Sequence, residues 1–163
     1  MTNNQRARVT ALRLLAVRRL SEAQLWTRLA RKGYADQAIR DAVESCRCDG
    51  FIDDRLFATL FVEGRTKAVG DARLIAELVR RGIDRAVAES TIRAADCDEQ
   101  QRLERAIDKL FAARPGIAYP SAARTLERLG FPAARIYRVL RAHAARFGPL
   151  AGLTFEDSLA VHA

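Results

Sequence analysis

Histidine is scarce in this chain of 163 residues, with His143 and His162 the only two, and cysteine stops at three, Cys46, Cys48 and Cys97. Nucleophile–base pairs and most zinc sites draw on these residue types, so little material remains for either. One residue separates Cys46 from Cys48, which is not a zinc-ribbon spacing, and no histidine lies near them in sequence. They read as structural or incidental thiols. G-x-S-x-G, Walker A and G-x-G-x-x-G strings are all missing. No catalytic residue, metal or cofactor is expected, and the chain reads as a non-enzyme. There is no apolar run of the roughly 18 residues that a membrane helix needs. The basic N-terminus leads into an amphipathic segment, not an apolar signal core. A cytoplasmic protein without membrane contact is the expectation.

Proline is missing from the first 114 residues, which are rich in Ala, Leu, Arg and Glu, residues that lose little freedom in a helix. Apolar positions recur at helical spacing in nine successive short segments, so the fold class is all-α. A length of 163 residues buries about two-thirds of the surface an unfolded chain exposes, enough to form a core without disulfides or metal. Ser21 with Gln24 forms a capping box, and Leu20 with Leu25 its apolar staple. Asp53 reads as a cap with Ile52 and Phe57 as its staple, and Asp71 as the cap of a later helix.

Helices are predicted to stop at Gly33, Gly82 and Gly130. Each is followed by a large apolar residue (Tyr34, Ile83, Phe131) and preceded four residues earlier by a leucine (Leu29, Leu78, Leu126), the apolar pair of a Schellman stop. These glycines lie 49 and 48 residues apart, which marks an internal repeat. Ten positions after each stand Val43, Ile92 and Leu140; six after, Ile39, Ala88 and Ile136; eight before, Leu25, Leu74 and Ala122. The prediction is three tandem three-helix repeats over 6–48, 53–95 and 98–146 in an elongated modular arrangement, with a poorly structured tail over 147–163.

The formal charge of +8 follows the repeat. Residues 1–35 hold eight basic and one acidic side chain, 36–64 three and seven, 65–95 seven and four, 96–108 two and five, and 109–150 eight and one. Basic charge gathers around the glycine-terminated helices. Arg28, Arg31 and Lys32 stand at i, i+3 and i+4; Arg73, Arg80 and Arg81, then Arg124 and Arg128, give comparable faces. A cation near a helix C-terminus gains about 0.3–1 kcal/mol from the dipole, which accounts for one arginine per helix. It leaves Arg28, Arg73, Arg124 and the net excess unexplained. A polyanion or an acidic protein surface is the implied partner.

The segment Gly50-Phe-Ile-Asp53-Asp54-Arg-Leu-Phe57-Ala58, followed by Ile75-Ala-Glu77-Leu78-Val-Arg-Arg-Gly82-Ile83, resembles the signature strings of the RecX family, bacterial regulators of the RecA recombinase. The resemblance runs from Ala11 to about Leu140 and includes Ser21-x-x-x-Leu25-x-x-x-Leu29-x-x-x-Gly33-Tyr34 and Leu126-x-x-x-Gly130-Phe131. The chain departs from that pattern at Leu56, where the family commonly has Arg, in the loop Lys67-Ala-Val-Gly-Asp71, and at Leu129. The resemblance implies a monomeric protein of homologous recombination, DNA repair and the SOS response. Such a protein binds a RecA filament, lowers its ATPase, strand-exchange and coprotease activities, and touches single- and double-stranded DNA weakly through phosphates.

On this reading the partner surface is Arg28, Arg31, Lys32, Arg73, Arg80, Arg81, Arg124 and Arg128, with Arg135, Arg138 and Arg141 on the last helix. The alternative is a helix-turn-helix-like protein acting directly on duplex DNA, in which the third helix of each repeat reads bases. Two of those helices begin with acid (Asp36 and Asp41; Asp84 and Glu89), which phosphates repel. A third reading is a plain helical scaffold with Trp26, Phe57, Phe61 and Phe111 in its core.

Overall fold

A computed structural model describes residues 2–65 and 68–147, with the side chain of Phe147 left aside. The predicted tail beyond it, and Thr66 and Lys67 of the loop that departs from the family pattern, lie outside the described residues. Those described form nine α-helices and no strand: α1 Asn3–Val17, α2 Glu22–Arg31, α3 Asp36–Cys48, α4 Asp54–Glu63, α5 Asp71–Arg80, α6 Arg85–Arg93, α7 Glu99–Ala113, α8 Tyr119–Arg128 and α9 Ala133–Phe147.

The helix ends follow local chemistry. Ser21 caps α2 in a full capping box with Gln24, and the Asp53 carboxylate accepts the Leu56 N–H at the start of α4. Asp71 differs from its prediction. It is the first helical residue of α5, and the cap position falls on Gly70, whose carbonyl accepts the Leu74 N–H at 3.1 Å. The Asp71 carboxylate is engaged elsewhere, as described below.

Gly33, Gly50, Gly82 and Gly130 all have left-handed backbones, with φ of 83, 76, 83 and 88°. In each turn the residue after the glycine donates back to a buried core residue: Tyr34 to Leu29, Phe51 to Cys46, Ile83 to Leu78 and Phe131 to Leu126. Residues with a Cβ are strained in this conformation, and glycine is not.

The framework divides into two compact units, Met1–Gly64 with Ile75–Ala95 and Arg65–Leu74 with Asp96–Ala163, so the division falls within α5. In the first unit α1, α2 and α3 close over Ala7, Ala11, Leu25, Leu29, Ile39 and Val43. In the second, α7, α8 and α9 close over Leu103, Ile107, Ala122, Leu126, Ile136 and Leu140. All nine apolar positions aligned on the three glycines are buried. The aromatic residues assigned to the core are only half-buried: Trp26, Phe57, Phe61 and Phe111 each keep an edge at the surface.

Candidate partner interface

Within each unit the cap of one second helix meets the carbonyl end of another, and corresponding positions make both joints. In the first unit the buried Ser21 hydroxyl, at the cap of α2, donates to the Arg81 carbonyl just before Gly82. In the second, the Gly70 N–H, at the cap of α5, donates to the Leu129 carbonyl just before Gly130 at 2.9 Å. The carbonyl end of one helix thus faces the N–H end of another, which is the favourable alignment of two helix dipoles.

A carboxylate completes each joint. The first N–H of α2, on Glu22, donates to Asp54 Oδ1 at 2.9 Å, and the first N–H of α5, on Asp71, donates to Glu99 Oε1 at 2.8 Å. Asp54 and Glu99 are themselves the first residues of α4 and α7. Each therefore sits where two helix N-termini converge, a setting that favours a negative group and satisfies an otherwise orphaned donor. Burial holds the Asp54 carboxyl above the usual carboxylate range; the Glu22 N–H pulls it down and the neighbouring Asp53 charge pushes it up.

Glycine is required in these joints for a second reason. A Cβ on Gly82 would strike the Cβ of Ala23 on α2, and one on Gly130 would lie 2.6 Å from the Cβ of Arg73 on α5. A Cβ on Gly70 would meet the backbone of Gly130 itself. Gly33, by contrast, has open space around it.

Arg102 ties the second joint together. It is 9% exposed, its Nε donates to the Val69 carbonyl at 3.0 Å, and its two terminal nitrogens reach the Cys97 carbonyl and the Asp71 carboxylate. Glu99, 7% exposed, also receives Arg135 at 3.3 Å.

Against this frame the basic residues divide into two groups. Arg73 donates to the Arg128 carbonyl at 3.0 Å, Arg81 lies over the Phe61 ring at 4.4 Å and bonds the Glu77 carbonyl, and Arg135 pairs with Glu99. These three side chains have work inside their own units. Arg31, Lys32, Arg80, Arg124, Arg128, Arg138 and Arg141 are exposed, and Arg28 is half-buried. Among the described residues, Arg80 and Arg124 bond carbonyls of their own helices, and Arg128 a threonine hydroxyl of its own.

Within the first unit, Arg28, Arg31 and Lys32 stand at one end of α2 while Arg80 and Arg81 abut the other. The ten residues of that helix put the clusters about 15 Å apart. Of the signature residues, Ala58 and Leu78 are buried, Glu77 is 7% exposed, Gly50 and Gly82 make turns, and Asp53 caps α4. Phe57 is half-buried.

Sequence reasoning missed Glu99 and Arg102. Their signal was present, since Asp98-Glu99 opens the third repeat as Asp53-Asp54 opens the second. Among the described residues no group of three metal-ligating side chains forms, and no helix is long and apolar enough to cross a membrane.

Comparison with known proteins places this architecture. The model "RecX, first three-helix domain" matches residues 7–46, and "RecX, second three-helix domain" matches 53–92. A protein of Mycobacterium leprae named Regulatory protein RecX is 34% identical over 106 residues, 63% of this chain and 62% of its own. One of the same name from Thermus thermophilus is 34% identical over 122 residues, 75% of this chain and 81% of its own. The chain spans less than two-thirds of the length of the mycobacterial relatives it matches.

The crystal structure of RecX from Lactobacillus salivarius superposes with a TM-score of 0.75 at 17% identity, over 86% of this chain and 96% of that one. A second structure, of a regulatory protein RecX, gives 0.76 at 16%, over 86% and 73%. At that identity the two structures speak for the fold alone. With both family domains in order and a relative matched over most of either length, the chain belongs to the RecX family of regulatory proteins.

Proposed function

We propose that the chain binds a RecA nucleoprotein filament and lowers its ATPase, strand-exchange and coprotease activities, as a cytoplasmic monomer with no catalytic centre of its own. The observation that supports this reading is the joint made once in each unit from corresponding positions of the repeat. It sets a basic helix end at the corresponding place in each unit, and a partner with its own repeating surface suits a chain built from such modules. The repeats over 6–48, 53–95 and 98–146 would then act as successive contact modules. Contacts that are weak singly gain strength when several engage at once.

The exposed members of the basic set, Arg31, Lys32, Arg80, Arg124, Arg128, Arg138 and Arg141, are the proposed contacts, with Arg28 beside them. Arg73, Arg81 and Arg135 serve the proposed surface by holding the joints. Contact with single- or double-stranded DNA is weak and made to phosphates.

Direct readout of duplex DNA is less well supported. The Asp84 carboxylate caps α6, Asp36 stands in the first turn of α3, and in α9 Arg135 is already paired. Binding measured side by side on naked and RecA-coated single-stranded DNA tests the choice. Filament-directed binding is tighter on the coated strand and persists as salt rises. Equal affinity for both, with a steep salt slope, would overturn the proposal.

A further inference from the structure

The second unit carries a groove of about 690 Å³ lined by Arg114, Ser121, Arg124, Thr125, Glu127 and Arg128. Beside it, sharing Arg114 and Thr125, opens a slot of about 240 Å³ walled by Leu110, Leu126 and Leu129 and by small alanines, Ala113 among them. Leu126 is fully buried and Leu110 9% exposed, so the slot reaches down to the core between α7 and α8.

Three arginines share the groove with a single carboxylate, Glu127. Some arginines of the chain are paired with acids, among them Arg8 with Asp49, Arg47 with Glu44, Arg102 with Asp71 and Arg135 with Glu99. Among the described residues, no carboxylate lies within ion-pair distance of Arg114, Arg124 or Arg128. Like charges gathered in one concave surface raise its potential and attract an anion.

The slot decides what kind of anion. Its walls are mostly aliphatic, with Lys109, Arg114 and Thr125 as the polar members of the lining and no aromatic face for a base to stack on, although stacking is what single-stranded nucleic acid seeks in such sites. A base placed there would set most of its edge against leucine and alanine, which offer its polar atoms no partner. A leucine, methionine or phenylalanine side chain suits the same walls.

We propose that groove and slot together receive an acidic segment of a protein partner, with one large apolar side chain in the slot and flanking carboxylates on Arg114, Arg124 and Arg128. The inference rests on the reading above that the partner is a protein filament. The chain's own Phe155-Glu156-Asp157 has related chemistry with only two carboxylates, and is the competing occupant.

The test is fluorescence anisotropy on the full chain with a short labelled peptide of aspartates and glutamates around one central phenylalanine. The site predicts binding that weakens at least about tenfold when that phenylalanine becomes alanine, the loss of one buried aromatic. R124E/R128E, two exposed positions, and A113W, which plugs the slot from an exposed position, each produce a comparable loss with helical content unchanged. Should the double reversal fail to fold, A113W decides alone.

Equal binding of both peptides, or an oligo-dT of equal charge that binds more tightly and ignores A113W, overturns the site. A tenfold rise in peptide affinity in F155A assigns it to the chain's own tail and overturns the partner assignment. If R124E/R128E and A113W lose the peptide yet inhibit RecA filaments like the unmodified chain, this inference falls and the filament reading stands. Failure of the unmodified chain to inhibit at all strikes the filament reading instead.

Discussion

The Asp54 carboxylate accepts the Glu22 N–H at 2.9 Å, and this single bond joins the first residue of α4 to the first residue of α2, 32 positions earlier. Glu99 repeats it on Asp71 at 2.8 Å. Both acids stand between two helix N-termini, where their oxygens accept an otherwise unpaired amide and their charge meets the helix dipoles against the cost of burial.

Substitution of Asp54 separates these two contributions. Its carboxyl sits above the ordinary value in the fold because of burial. The charged form is therefore disfavoured on folding, and the stability it contributes is greatest below the ordinary carboxylate value and is lost as pH rises through the folded one. D54N keeps the acceptor without the charge. It is predicted to be at least as stable as the unmodified chain at neutral pH, with the difference vanishing in acid. D54A leaves the Glu22 N–H unpaired and costs about 1–3 kcal/mol. Urea denaturation at several pH values measures both, and a D54N no better than D54A at neutral pH would contradict the account.

The glycine turns give a graded series. G33A meets only the left-handed backbone penalty, about 1–2 kcal/mol, because the space around it is open. G82A adds a clash with the Ala23 side chain and is predicted to cost more. Removing that side chain in A23G/G82A restores part of the loss despite adding a glycine to α2. G70A would press on backbone and has no such rescue. Melting temperatures of the four variants test the ordering.

Replacing Arg102 with methionine strands two carbonyls and the Asp71 carboxylate. The expected loss is about 3 kcal/mol, and lysine restores only part of it because it lacks the planar fork. Chemical denaturation that left R102M at full stability would show that water replaces the guanidinium.

The thiols report on the first unit. Cys46 is fully buried, and burial pushes its thiol above the ordinary value; the exposed Cys48 is raised chiefly by its hydrogen bond to Glu44. Labelling with a thiol reagent at neutral pH should modify Cys48 well before Cys46. Cys46 should then follow at a rate set by opening of the α1–α3 core. Equal rates would mean that this core is loose.

Much of the fold was legible because the repeat is written in residues with few alternatives. A glycine with a following aromatic or isoleucine and a leucine four before it specifies a helix stop, and three such strings fix the phase of everything between them. The joints were not legible. Their bonds use the Arg81 and Leu129 carbonyls and the Glu22 and Asp71 amides, backbone atoms common to every residue. Equivalent joints even differ in donor, a serine hydroxyl in one and a glycine amide in the other. The basic set was readable as a set, but sequence spacing could not distinguish the exposed Arg31 from Arg81 lying on Phe61. Arg114 escaped notice because it sits at a helix end, outside the repeat phase, and reaches its groove only through the packing of α7 on α8.

The most direct measurement is ATP hydrolysis by the cognate RecA on single-stranded DNA, with the chain in excess and with R28E/R31E/K32E beside it. The account predicts that hydrolysis falls with the unmodified chain, and falls less with the triple variant at unchanged helical content. Hydrolysis unaffected by the folded, unmodified chain would contradict it.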